Sequence, residues 1–139
     1  MRHLRIYIAD DHAVIRDGVR HLIDSEPDMA VVGEASNGEG AVEGVGRLSP
    51  HVVVMDVSMP GIGGIEATRR IFHSRPWIRV IALTTHEGAG YRRAMFEAGA
   101  CGYVLKRAAP EYLIEAIRKV ASGEAFIAPG ADDGLESSR

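Results

Sequence analysis

The sequence predicts an α/β fold: a (βα)5 doubly wound parallel five-stranded sheet with helices on both faces. Two observations carry it. Five apolar runs, at residues 4–9, 29–35, 52–55, 80–83 and 103–105, are short, rich in Val and Ile, and bounded by polar residues or Gly. That is the pattern of strands buried on both faces. Between them lie segments with apolar residues at helical spacing, as crossover connections in a parallel sheet require. The scale agrees: 139 residues, 46% hydrophobic and 25% charged, describe one ordinary domain. A chain of this size buries roughly two-thirds of its unfolded surface and needs no disulfide or structural metal to fold.

Each element has its own justification. The first strand ends on Asp10-Asp11, and a helix over 12–24 follows, with Val14, Ile15, Val19, Leu22 and Ile23 on one face and Pro27 as a stop. Residues 37–48 form a weaker helix, because Gly44 and Gly46 each cost about 1 kcal/mol relative to Ala. Ile65, Thr68, Ile71 and Phe72 share a face of a third helix. The fourth, over 88–98, starts poorly, with Gly88 and Gly90 in its first turn. The fifth follows Pro110, presents Leu113, Ala116, Ile117, Val120 and Ala121, and has Gly123 placed as its C-cap. From about Phe126 the pattern stops, and residues 125–139 read as a linker or tail.

Composition excludes several classes. With 16 basic and 19 acidic residues there is no basic footprint for nucleic acid, so this chain alone is not expected to bind DNA. No 18-residue apolar run is present, so no membrane span is expected. The start lacks the pattern of a secretory signal, and Cys101 is the only cysteine. A reducing, cytoplasmic location is the expectation. Of the 16 basic residues 14 are Arg, which makes a Lys at a chemically demanding position more telling.

In a sheet of this kind ligands bind beyond the carboxyl ends of the strands. Asp10 and Asp11 follow the first strand, Asp56 the third, Thr84 and Thr85 the fourth, and Lys106 the fifth. Three carboxylates, a hydroxyl pair and an ammonium thus meet on one rim. A like-charge pair about 4 Å apart costs roughly 4 kcal/mol at an effective dielectric near 20. A divalent cation removes that cost, and oxygen-only ligands favour Mg²⁺. The site could then accept a phosphoryl group, with Lys106 as a point charge. Any single Asp at a strand end is also satisfied as a helix cap, Asp11 for the helix over 12–24 among them.

Four segments carry a resemblance: Ile8-Ala9-Asp10-Asp11-His12, Val54-Met55-Asp56-Val57-Ser58-Met59-Pro60-Gly61, Ala82-Leu83-Thr84-Thr85-His86, and Gly99-Ala100-Cys101-Gly102-Tyr103-Val104-Leu105-Lys106. In this order and spacing the chain resembles the receiver domain of bacterial two-component response regulators, NarL/FixJ (LuxR-type) branch, over 1–124. The resemblance implies a flavodoxin-like sheet with strand order 2-1-3-4-5. It implies Asp56 as phosphoacceptor from a sensor histidine kinase. Mg²⁺ would be held by Asp10, Asp11, Asp56 and the backbone carbonyl of Ser58. Lys106 and Thr84 would bind the phosphoryl oxygens, and Tyr103 would move as Thr84 moves. Ser58 and His86, two residues beyond Asp56 and Thr84, would set how fast water removes the group. A homodimer through the first and fifth helices is a further expectation, with Val14, Gly18, Leu113 and Ile117 as candidate members, although each of the four reads more readily as simple core. Relatives usually continue into a helix-turn-helix domain, so DNA would be reached only through a C-terminal domain missing from this chain.

Other readings stand beside these. Tyr103 could be a half-buried aromatic on an edge strand, and Cys101 is core packing without a reason for a lowered pKa. His12 and His86 read as surface neighbours of the site rather than ligands, since the six His residues show no metal spacing. Family members commonly carry Asp where Gly63 stands before the third helix; Gly as N-cap costs only a few tenths of a kcal/mol. The expected role is a signalling phosphoacceptor, not an enzyme. The alternatives are a stand-alone receiver acting through protein contacts, a Mg²⁺-dependent Asp-nucleophile phosphatase, and an FMN carrier. The phosphatase would need an acid where Ser58 stands. Asp10-Asp11 would repel the FMN phosphate, and a colourless protein would exclude that carrier.

Overall fold

The structure is a computed structural model, and residues 3–130 are described. Strand and helix alternate as β1 (Leu4–Ala9), α1 (Ala13–Asp24), β2 (Met29–Ala35), α2 (Gly38–Leu48), β3 (Val52–Met55), α3 (Gly63–Ser74), β4 (Arg79–Thr84), α4 (Ala89–Ala98), β5 (Gly102–Leu105), a single 3-10 turn (Lys106–Ala108), α5 (Ala109–Ala121) and β6 (Phe126–Ile127). All pairings are parallel, in the order β2-β1-β3-β4-β5-β6.

Side chains one residue apart on a strand point to opposite faces, so the apolar runs split into two cores. Ile6, Ile8, Val52, Val54, Ile81, Leu83 and Val104 face α1 and α5, where Val19, Ile23, Leu113, Ala116, Ile117 and Val120 cover them. Tyr7, Ala9, Val53, Met55, Val80, Ala82, Tyr103 and Leu105 face α2, α3 and α4. Both faces are dry, which is why the strands read as continuous hydrophobic runs.

The sheet has six strands rather than the five expected. Phe126 and Ile127 pair with Gly102 and Tyr103, and Ala128 behind them is fully buried. Phe126 N–H donates to Cys101 O at 2.9 Å and Ala128 N–H to Tyr103 O at 3.0 Å. These bonds cover the open edge of β5. Two residues are too few for any period to show, so the segment reads as a tail. The remainder of that segment, residues 131–139, lies outside the described residues.

The glycines in α2 have a packing reason. A Cβ at Gly44 would overlap the Tyr7 phenol, which donates to Glu34 O at 3.1 Å. The weak helix is what lets Tyr7 lie beneath it. Asn37 compensates as N-cap, accepting from Gly40 N–H at 2.7 Å. At α3 the N-cap is Ile62, not Gly63; Gly63 opens the helix with φ +81°, a backbone that favours glycine. Gly64 follows so closely under Asp56 that a Cβ would collide with its carbonyl. At α5 the cap is Ser122, with Gly123 one residue beyond at φ +97°.

The four residues considered for a dimer face divide between core and surface. Leu113 and Ile117 are fully buried against the sheet, while Val14 is 83% exposed and Gly18 is exposed. The sheet takes most of the apolar face of α5, whereas Val14 and Gly18 of α1 and Pro110 at the start of α5 remain at the surface.

Candidate functional site

The sheet ladder sets the site. Asp10 N–H donates to Ala35 O at 3.0 Å and Asp56 N–H to Ala9 O at 2.8 Å, one residue past each strand end. This brings two carboxylates to the same level on neighbouring strands. Asp10 is 1% exposed and Asp56 3%, whereas Asp11 lies at the surface. Arg16 of α1 donates to Asp10 O at 2.6 Å and holds the loop in place.

Lys106 reaches back from the 3-10 turn after β5. Its Nζ lies 2.8 Å from Asp10 Oδ2 and 3.1 Å from Asp56 Oδ2, and the side chain is buried. Burial pulls the ammonium down, but the attraction of the Asp10 and Asp56 carboxylates outweighs it and holds its pKa above the usual value. The Asp56 carboxyl is pushed up to about 6, first by burial and then by the Asp10 charge, with Lys106 opposing both. Ser58 N–H donates to Asp56 Oδ1 at 3.3 Å. Asp56 is thus a buried carboxylate held from both sides and short of positive charge.

A second cluster joins this pocket to α4 through His86. Thr84, fully buried, accepts from His86 N–H at 3.0 Å through Oγ1. Tyr103 donates its hydroxyl to His86 O at 3.1 Å. The His86 ring stacks on Tyr91 at 3.9 Å between centroids, and its Nε2 lies 2.7 Å from Ser58 Oγ. Tyr103 is fully buried on an interior strand, not half-buried on an edge, and burial raises its pKa to about 12. Ser58 and His86, expected two residues beyond Asp56 and Thr84 as a pair that sets the lifetime of a phosphoryl group, are bonded to each other. Cys101 is half-buried beside the α5 core, and burial raises its thiol pKa.

A family model, the response regulator receiver domain, matches residues 6–118. The chain belongs to that family. It is 43% identical over 125 residues to response regulator UvrY of Escherichia coli K12, covering 90% of this chain and 57% of that protein. It is 40% identical over 132 residues to the transcriptional regulatory protein DegU of Brevibacillus brevis, covering 95% of this chain and 56% of that protein. Among solved structures, a LuxR-family two-component response regulator from Aurantimonas superposes with a TM-score of 0.93 at 38% identity, covering 99% and 98% of the two chains. The receiver therefore spans a little over half the length of these two curated relatives. Among the described residues no helix is long and apolar enough to cross a membrane.

The receiver's donor set suits a divalent cation. Ligand atoms of Asp10, Asp11, His12 and Asp56 lie within 4.8 Å of one another. Asp10 Oδ2 is buried without a hydrogen-bond partner; its contact with Lys106 is an ion pair that lacks hydrogen-bond angles. Asp11 does not cap α1: no side chain caps that helix, and Asp10 Oδ1 accepts from His12 N–H at 2.8 Å. Tyr91 joins the His86 cluster with no sequence signal beyond being an exposed aromatic in a helix. His12 is the surface neighbour of the site that the sequence suggests: its side chain is 61% exposed and its Nδ1 sits 3.1 Å from Asp10 Oδ1 and 3.2 Å from Asp11 Oδ1.

Proposed function

We propose that this receiver is switched by phosphorylation of Asp56, with a sensor histidine kinase as donor. The observation that carries the reading is the Asp56 carboxylate itself: buried, flanked by Lys106 Nζ and Ser58 N–H, and grouped with Asp10 and Asp11. An Asp56 oxygen attacks phosphorus, the phosphorus–nitrogen bond of the donor phosphohistidine breaks, and the bonding pair returns to the imidazole. Such a transfer rests on positioning and charge, so no general base is needed. Asp10, Asp11, Asp56 and the Ser58 carbonyl would hold Mg²⁺, which when bound neutralises charge on the incoming group.

Lys106 then exchanges its contact with Asp56 for a phosphoryl oxygen. The group brings acceptors that Thr84 lacks at present. As the Thr84 hydroxyl turns to donate, it gives up His86 N–H, and with it the tie to Tyr103 and Tyr91 at the start of α4. Ser58 and His86, which roof the pocket, govern the access of water and so the lifetime of the group. An apolar groove of about 200 Å³ between α1 and α5, lined by Val14, Gly18, Leu22 and Pro110, opens beside Lys106. It supports docking of the kinase or of a second receiver. The output is transcription through a helix-turn-helix domain beyond residues 125–139; similarity to a transcriptional regulatory protein of which the alignment covers only 56% supports it.

The test is intact mass after incubation with acetyl phosphate and Mg²⁺. Wild type gains one phosphoryl group, only with metal, and Asp56→Asn gains none. Equal gain by Asp56→Asn, or gain without metal, overturns the assignment.

A further inference from the structure

We propose that His12 is a nitrogen ligand of the pocket's cation, and that it favours first-row transition ions, from Co²⁺ to Zn²⁺, over Mg²⁺. The inference rests on the reading of the pocket as a cation site. Its starting point is the position of the Lys106 ammonium. That charge already sits among three ligand-type atoms: Asp10 Oδ2 at 2.8 Å, Asp56 Oδ2 at 3.1 Å and His12 Nδ1 at 3.3 Å. A ring nitrogen that faces an ammonium together with two carboxylate oxygens is placed to face a metal ion.

The ring is also within 3.2 Å of Asp11, so it bridges the buried and exposed carboxylates of the set. Three other histidines are engaged elsewhere. His86 is bonded to Ser58, His51 accepts from Arg5 N–H, and His21 contacts Asp17 O. His12 is held in place by the backbone, since its own N–H is anchored on Asp10 Oδ1. Its side chain is 61% exposed, so it can adjust to an ion without repacking the core.

The donor chemistry then decides preference. Mg²⁺ takes hard oxygen ligands and keeps its waters, so an imidazole adds little to it. Later first-row ions bind imidazole well, and their affinity for a mixed nitrogen and oxygen site rises along the series. Replacing one water by His12 therefore separates the two classes of ion in this pocket.

Co²⁺ alone is the probe, titrated into the full chain and into His12→Ala, with Mg²⁺ titrated in parallel. His12 makes no side-chain cap bond, so the variant keeps its fold, as circular dichroism checks. The expected result is a Co²⁺ affinity at least about tenfold weaker in His12→Ala. A hyperfine-shifted imidazole N–H proton is present only in wild type, and Mg²⁺ affinity changes by less than about twofold. Equal Co²⁺ affinities with no shifted imidazole proton overturn the inference while Mg²⁺ binding leaves the phosphoacceptor reading standing. Failure of both ions to bind overturns the cation site and this inference together.

Discussion

Helices α4 and α5 are built to different standards, although they flank the same end of the sheet from opposite faces. α5 has Pro in its first turn, Glu111 near its N-terminus, and Arg118 and Lys119 near its C-terminus, so sequence and macrodipole agree. It buries Leu113, Ala116, Ile117 and Val120. Its far end is tied down by Arg118 to Glu26 at 2.8 Å and to Asp28 at 2.5 Å. α4 begins on Gly88 without a side-chain cap, has no acid in its first turn and no base in its last, and packs chiefly along α3. Its N-terminus is held by the contacts of His86 with Thr84, Ser58, Tyr91 and Tyr103. Lys106 leads into the strongly determined helix and His86 into the weakly determined one. The difference teaches that the charge anchor and the less firmly capped wall of one pocket are assigned to different strands.

The comparison can be broken most directly through packing. Leu113→Ala removes a fully buried side chain and is expected to cost about 3 kcal/mol in urea unfolding. Tyr91→Ala on α4 removes a ring that is largely at the surface and is expected to cost under about 1 kcal/mol. Equal losses would mean that α4 is as firmly held as α5.

Lys106→Met tests the anchor. It leaves Asp10 and Asp56 buried without their cation and is expected to cost about 3 kcal/mol at pH 8 without metal. The folded state holds the Asp56 proton more tightly than the unfolded chain, with a pKa of about 6 against 3.8. Stability linked to this group therefore rises as pH falls through 6 toward 4. A neutral Asp56 needs no counterion, so the gap between wild type and Lys106→Met narrows in that window. Thermal melts from pH 8 to pH 5 in EDTA check this, and a gap that widens as pH falls overturns it.

The smallest effect sharpens the contrast. Nothing lies within 4 Å of a Cβ at Gly90, so Gly90→Ala is expected to stabilise α4 by up to about 1 kcal/mol. Amide exchange over residues 86–95 should slow, with α5 unchanged. Beryllofluoride should alter exchange over 86–95 in wild type and less so in the variant. A response equal in both would separate the glycine from the switch.

The apolar runs of β1, β2 and β3, and with one residue more at the ends of β4 and β5, were legible because the interior strands are buried on both faces, edge strand β2 is partly covered, and each carries its hydrophobicity in its own residues. The rim was legible too: Asp10, Asp56, Thr84 and Lys106 each follow a strand, and parallel strands place their carboxyl ends together. His12 read as a neighbour of the site, but its contacts with Asp10 and Asp11 did not, because they are a matter of side-chain direction at a helix start and not of spacing. Gly44 read as a weakness of α2 because the reason for it, the Tyr7 ring, is more than thirty residues away.

The residue order by itself determined the alternation of strand and helix, the doubly wound sheet and the set of groups on its rim, since those follow from local period and polarity. Only the tertiary structure decided that β6 closes the edge of β5, that Leu113 and Ile117 face inward rather than toward a partner, and that His86 joins Thr84 to Tyr103. Each of these is a choice between surfaces equally apolar or polar in the sequence. The choice is made by which backbone donors and side chains a neighbouring strand leaves unpaired.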